Sequence, residues 1–355
     1  MPSTGPLISA SPSTPAGFVV GLIGAGGIAN THLPAWLSLG VEVVVYSEAG
    51  AAGLIQRHGG GREVASLDEL LDSCAAVDVC TPTTTHAELV RLAAAAGRDV
   101  LCEKPLARTS ADAADLIATC AAAGVQLYPG HVVRYFPEYA AMHTAVVAGA
   151  VGEVAVQRFS RTGSRPVAAW FADDVLSGGL ILDQSIHDLD FARWNAGEVA
   201  RVFAREVQTP GLTGIRTAQV VLTHSSGAIS YVTGTWARAG TTFRTTFEIA
   251  GTGGLLRHDS REHPPLVVDG GTPSEEGTGL LPATPFVESP FLTEIREIYT
   301  AFRGGPPPRV SADDGLQAIR IAEAALESVS TGQAVECGTV ECGAVECGAG
   351  KVEVR

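Results

Sequence analysis

The chain has 355 residues, with 38 acidic and 24 basic side chains, 46% hydrophobic and only 17% charged residues. That length accommodates two ordinary domains with ample cores, and a formal charge of −14 argues against binding nucleic acid or an anionic membrane by bulk electrostatics. All basic residues except Lys104 and Lys351 are arginine, a skew that codon bias explains but that makes the place of each lysine informative.

Seven cysteines with no CxxC pair and an odd total do not form the framework of a small secreted domain, so a reducing cytoplasm is expected. No charged side chain precedes Glu42. The apolar run over 18–29 lacks the basic region of a signal peptide and is interrupted by glycines, so it does not read as a membrane span. A buried parallel strand entering a tight turn fits it better.

Residues 1–17 are rich in Pro, Ser, Thr and Gly without any period and are expected to form a disordered leader. From Phe18 to about Gly130, strand patterns at 18–23, 41–46, 76–80, 99–103 and 125–128 alternate with helix patterns. Capping-box spacings at Ser66/Glu69 and Thr85/Glu88 mark helix starts, and Gly97 and Gly124 mark helix stops. This alternation predicts an α/β fold with a doubly wound parallel sheet. Beyond it, strand patterns at 153–163, 199–208, 217–224, 228–236, 243–250 and 254–258 predict a second α/β domain with a large open, mostly antiparallel sheet. Ser225-Ser226-Gly227 reads as its hairpin turn. Residues 259–290 read as a loop or lid over the site, and 291–302 and 312–330 have helical spacing. The units are thus expected at 18–130 and 131–332. A low-complexity tail follows at 333–355, where Val-Glu-Cys-Gly repeats around Cys337, Cys342 and Cys347. Thiolate metal or redox chemistry there is the alternative to a mobile tail.

Gly24-Ala25-Gly26-Gly27-Ile28-Ala29 follows the first strand and precedes a helix pattern. In a dinucleotide fold, Gly24 permits the tight turn, Gly26 lets pyrophosphate approach the backbone, and Ala29 allows close helix–strand packing. A simple strand-to-helix turn has the same letters, but the strand, turn and later alternation together favour a nucleotide. At the end of the second strand, where an acid ordinarily holds the adenosine ribose of NAD, the chain has Ser47 followed by Glu48. Serine does not repel a 2′-phosphate and Glu48 does, so NAD is slightly preferred and NADP stays open.

Lys104 stands in Cys102-Glu103-Lys104-Pro105, at the C-terminal end of a strand, the edge where such sheets bind ligands. The Lys-Pro bond is of the kind that adopts the cis form most readily. Lysine offers a compact ammonium whose pKa responds to burial; an ordinary exposed lysine is the alternative. If the chain is helical from about 181, Asp183 and His187 share a face four residues apart. A carboxylate beside an imidazole suits proton transfer, although a surface Asp–His pair has the same spacing. No metal site is expected, because no HxxE, HxH or clustered Cys/His spacing accompanies His187.

Taken in order, Gly24 to Ala29, Cys80-Thr81-Pro82 with His86, Glu103-Lys104-Pro105, and Gly178-Gly179 leading to Asp183 and His187 resemble the motifs of the Gfo/Idh/MocA family of NAD(P)-dependent oxidoreductases. Arg134 to Pro137, Phe247 to Gly254 and Val310 to Gly315 extend the resemblance across about 18–332. It implies an N-terminal Rossmann domain and a C-terminal α/β domain whose open sheet mediates homodimers or homotetramers. Lys104 would polarise the reacting oxygen, His187 would be the acid/base, and Asp183 would bind substrate and tune His187. The implied cofactor set is Gly24, Gly26, Gly27, Ile28, Ser47, Glu48, Thr81, Pro82, His86, Glu103 and Lys104. The implied substrate is a sugar, inositol or related polyol, with Arg134, Arg165, Trp170 and Asp173 as further pocket residues. Domain-interface contacts are an equal alternative for these four. Three function classes follow: a polyol dehydrogenase or reductase, an NAD-dependent glycosidase with no net redox change, and a nucleotide-binding regulator without chemistry. Neither nucleic-acid nor membrane partners are expected.

Overall fold

The computed structural model describes residues 17–166, 169–209, 215–261, 267–269 and 288–337. The proposed leader lies outside the described residues but for Gly17, as do most of the 259–290 loop and the tail from 338.

Six parallel strands form the first sheet: β1 (Val19–Ile23), β2 (Glu42–Tyr46), β3 (Arg62–Glu63), β4 (Ala76–Val79), β5 (Asp99–Glu103) and β6 (Leu127–Gly130). Their order is β3-β2-β1-β4-β5-β6, so the winding reverses between β1 and β4. The intervening helices are α1 (Ala29–Ser38), α2 (Ala51–His58), α3 (Leu67–Ser73), α4 (Thr83–Ala95) and α5 (Ser110–Ala123). Apart from Asp78 on β4, the central strands are apolar on both faces because helices cover both. β3 is two exposed charged residues and has no apolar pattern to reveal it. Ser66 caps α3 as expected, its hydroxyl accepting the Glu69 N–H at 3.1 Å. Thr85 does not cap α4, which starts two residues earlier after Pro82; its hydroxyl bonds the Pro82 carbonyl instead.

The second sheet has eight strands: β7 (Val154–Ser164), β8 (Val199–Gln208), β9 (Arg216–His224), β10 (Ile229–Ala237), β11 (Arg244–Gly251), β12 (Leu255–Asp259), β13 (Val267–Asp269) and β14 (Val335–Glu336). All described pairings are antiparallel except β7 with β10. β13 stands within the stretch expected to be loop, and β14 begins the expected tail by pairing with β8, so neither segment is wholly irregular. Helices α6 (Pro137–Val147), α7 (Asp174–Ser177), α8 (Ile186–Ala196), α9 (Pro290–Phe302) and α10 (Ala312–Thr331) complete the chain.

α9 lies within the unit expected at 131–332 but makes contact across the division at 130/131. It returns to the first sheet and packs on α1, burying Ile295, Ile298 and Phe302 against the cluster that holds Leu33, Trp36 and Leu101. Each such side chain contributes roughly 1.5–3 kcal/mol by leaving water. α10 joins the two units, touching β6 and α5 on one side and β8 and α8 on the other. No helix among the described residues is long and apolar enough to cross a membrane.

Candidate active site

The glycine turn stands at the C-terminal edge of the first sheet, where the winding reverses. Gly24 has φ +106°, its N–H donates to the Tyr46 carbonyl at 2.8 Å, and a Cβ there would lie 2.6 Å from the Cys80 carbonyl oxygen. Only glycine fits, because the obstacle is backbone. Gly26 and Gly27 are exposed, and among the described residues nothing accepts the N–H groups of Gly26, Gly27 and Ile28. They lead into α1, so free donors and the positive helix end converge where a pyrophosphate fits. A cleft of about 560 Å³ extends from this turn along Thr81 and Pro82 to Ser47 and Glu48. The Ser47 hydroxyl donates to the Ala49 carbonyl at 2.8 Å, which leaves Glu48 as the exposed charge at that end.

Five residues of the implied cofactor set, Gly27, Ile28, His86, Glu103 and Lys104, do not line the cleft. His86 is fully buried with its ring between the carbonyls of Pro105 and Thr81, each at 2.9 Å, so it ties the β4–α4 loop to the Lys104 turn. Glu103 is also buried and points beneath the sheet edge, toward His32.

The Lys104–Pro105 bond is cis. Lys104 is half-buried, and its Nζ donates to the Asp183 carbonyl at 2.8 Å and to Asp183 Oδ1 at 3.1 Å. Asp183 can present both oxygens because Ile181–Ser185 is a π turn, not the α-helix that the spacing predicts; α8 starts only at Ile186. Gly178 and Gly179, at φ +79° and +67°, turn the chain into this segment, and a Cβ on Gly179 would press on the Arg216 guanidinium.

The π turn changes the relation of Asp183 to His187. Asp183 pairs with Lys104, and His187 Nδ1 is buried without a hydrogen-bond partner among the described residues. Burial first, then the charges of Lys104, Arg161 and His131, push the His187 pKa well below the usual imidazole range. Asp183 therefore does not stabilise an imidazolium here, contrary to the spacing argument. His187 is a neutral imidazole at neutral pH.

Arg134 is not a pocket residue. It is 1% exposed, and its Nε and Nη2 grip Asp190 at 2.8 and 2.6 Å while Nη1 donates to the Arg309 carbonyl at 3.0 Å. Its plane lies over Trp194. Trp170 stacks on Phe171 with centroids 3.7 Å apart, and Arg165 lies over Trp236 at 6.0 Å, so both are partly engaged within the second unit. Asp173 accepts the Val175 N–H at 2.8 Å and caps α7. Sequence reasoning missed Arg161, buried on β7, held by Asp188 at 2.9 and 2.7 Å, and one source of the charge that keeps His187 neutral. An arginine at an inward position of a strand was the available signal.

Known proteins share the sequence pattern and the fold. The chain is 30% identical to D-apiose dehydrogenase of Paraburkholderia graminis over 93% of its own length and 92% of that protein. It is 31% identical to myo-inositol 2-dehydrogenase of Thermotoga maritima, over 74% and 79% of the two chains. The structure of GenD2 from gentamicin A biosynthesis, in complex with NAD, superposes with a TM-score of 0.80 at 26% identity, covering 94% of this chain and 100% of that one. The model of an oxidoreductase family with an NAD-binding Rossmann fold matches residues 18–131, and that of the GFO/IDH/MocA C-terminal domain matches 139–257. With both models matched in order and a relative aligned over nearly its whole length, the chain belongs to the Gfo/Idh/MocA family of oxidoreductases.

Proposed function

We propose that the protein is an NAD-preferring dehydrogenase or reductase of a sugar, inositol or related polyol, with Lys104, Asp183 and His187 as its acid–base set. The observation that carries this reading is the Lys104 ammonium at the ligand edge of the nucleotide sheet. Two of its contacts go to Asp183, at 2.8 and 3.1 Å, and three donors are available, so one remains for a substrate oxygen. A bound nicotinamide supplies hydride transfer. The free N–H groups of the glycine turn would hold its pyrophosphate and Glu48 its adenosine ribose, where Glu48 would also repel a 2′-phosphate.

In the oxidative direction, Lys104 stabilises the negative charge that grows on the substrate oxygen. His187, being neutral, accepts the hydroxyl proton. The nearby Lys104 and Arg161 charges then favour its release to solvent. Asp183 holds the ammonium in place. We further propose self-association through the open face of the eight-stranded sheet, where Tyr231 on β10 and Phe203 on β8 stand exposed.

The test is a panel of sugars, inositols and glycosides with NAD and NADP, following reduced cofactor and released aglycone together. Substrate-dependent net reduction that is faster with NAD is expected; aglycone release without net reduction would refute the dehydrogenase reading. Lys104→Arg should keep nucleotide binding and lose most turnover, since it exchanges a compact ammonium for a bulkier planar fork. Full activity of that variant would remove Lys104 from the role given to it.

A further inference from the structure

A second set of ionisable side chains lies beneath the Lys104 turn and takes no part in the chemistry above. His32 on α1 is fully buried, and its Nδ1–H donates to Asp78 Oδ2 on β4 at 2.9 Å, while Nε2 stands 3.1 Å from Glu103 Oε1 on β5, an ion-pair contact without hydrogen-bond geometry. Asp78 also accepts Trp36 Nε1–H at 2.7 Å and the Cys80 thiol at 3.4 Å. The other oxygen of Glu103 accepts the Lys104 N–H at 3.0 Å. A continuous line of polar contacts therefore runs from α1 to the backbone of Lys104. Gly130 on β6 leaves Glu103 its room, since a Cβ there would come within 2.9 Å of Oε1.

His32, Asp78 and Cys80 are close enough together to hold a metal ion. Both ring nitrogens, however, already face carboxylates, and burial and the Asp78 charge push the Cys80 thiol far up, so the cluster holds protons instead. Burial opposes charge on His32, but Asp78 and Cys80 together outweigh it and raise the imidazole pKa. From α9, Glu294 faces the same space with both oxygens unpartnered among the described residues; burial, then Glu103, raises its pKa, so it is neutral.

We propose that His32 is a positioning residue for Lys104: as an imidazolium bridging Asp78 and Glu103, it fixes the carboxylate that holds the Lys104 backbone, and so the direction in which the ammonium meets Asp183. A neutral side chain at 32 would leave Glu103 buried without an opposite charge and release its hold on the Lys104 N–H. The catalytic consequence rests on the function proposed above, while the positioning itself does not.

Because Lys104 and Lys351 are the only lysines, reductive ¹³C-methylation of the full chain gives two lysine signals besides the amino terminus, and Lys104→Arg assigns them. In His32→Gln and Glu103→Gln, the Lys104 signal should move and its titration midpoint shift by about 0.5 unit or more, with Lys351 unchanged. Reduced-cofactor affinity should stay within about twofold, because the glycine-turn donors are untouched, while kcat falls about tenfold or more at nearly constant KM. An unchanged Lys104 signal and midpoint in folded His32→Gln would overturn the proposal. Should that variant not fold, Glu103→Gln, which keeps the side-chain shape, decides it by the same reading. If no polyol is turned over by the native enzyme, the resonance still decides the positioning, and that failure belongs to the functional reading alone.

Discussion

Arg134→Met separates a structural role from a substrate-binding one, because methionine keeps an unbranched stem against Trp194 and removes the charge. In the native chain the guanidinium is 1% exposed, and Asp190, 2% exposed, takes two of its hydrogen bonds at 2.8 and 2.6 Å. Asp314 loses a contact at 3.1 Å but retains Arg193 at 2.8 Å. Among the described residues Asp190 retains only His131, at 3.7 Å, whose own pKa burial lowers. The substitution therefore leaves one buried carboxylate uncompensated, a loss of about 3–5 kcal/mol. With an unfolding entropy of about 2.1 cal/mol/K per residue, this corresponds to a fall in Tm of about 4–7 °C. Differential scanning calorimetry at pH 7.5 reads it, and Asp190→Asn added to Arg134→Met should recover part of the loss because the orphaned charge is gone. An unchanged Tm together with a raised KM for polyol would refute the structural assignment and return Arg134 to the pocket.

Gly24→Ala places a Cβ against the Cys80 carbonyl at φ +106°, so it should cost roughly 2 kcal/mol or more in stability and weaken reduced-cofactor binding at least about tenfold, read by fluorescence titration. The lowered pKa of His187 means that its proton-accepting form persists as pH falls through the ordinary imidazole range; the acid limb of kcat/KM for oxidation should have its midpoint below 6.5. A midpoint at or above 6.5 would show that His187 is not the titrating base. If the proposed NAD preference holds, Glu48→Gln should raise the ratio of kcat/KM with NADP to kcat/KM with NAD by about fivefold to tenfold, because only the charge that repels a 2′-phosphate is removed.

The first sheet was legible because buried parallel strands are short apolar runs and the helices between them end at glycines in left-handed conformation, such as Gly97 and Gly124 at φ +70°. The second was legible because each strand alternates, as in β9 and β10, whose inward residues are buried one by one. What escaped had no local pattern. β3 and β14 are two residues each and exist by pairing alone. Helix α9 has an amphipathic pattern that reveals a helix but not which sheet it covers; the choice is made by Phe18 and Trp36, whose rings meet Tyr299 edge-on.

At the site, order and spacing single out Lys104, Asp183 and His187 as candidates but not how they relate. An i, i+4 rule holds for an α-helix, and the one extra residue per turn in Ile181–Ser185 breaks it at the place where it was applied. The same local geometry lets the carbonyl and carboxylate of one residue, Asp183, both reach the lysine, a pairing that spans 79 positions and leaves no trace in any short motif. The buried polar residues follow a common rule. Asp78 inside β4, His32 on the inner face of α1 and Arg134 after β6 all interrupt apolar surroundings, and burying such groups is costly unless partners satisfy them. Each therefore signals a distant partner without naming it. For Asp78 the partners are His32 and Trp36, and through Glu103 the line ends at the Lys104 backbone, so the aspartate that most disrupts a strand's apolar run connects to the turn that carries the site's lysine.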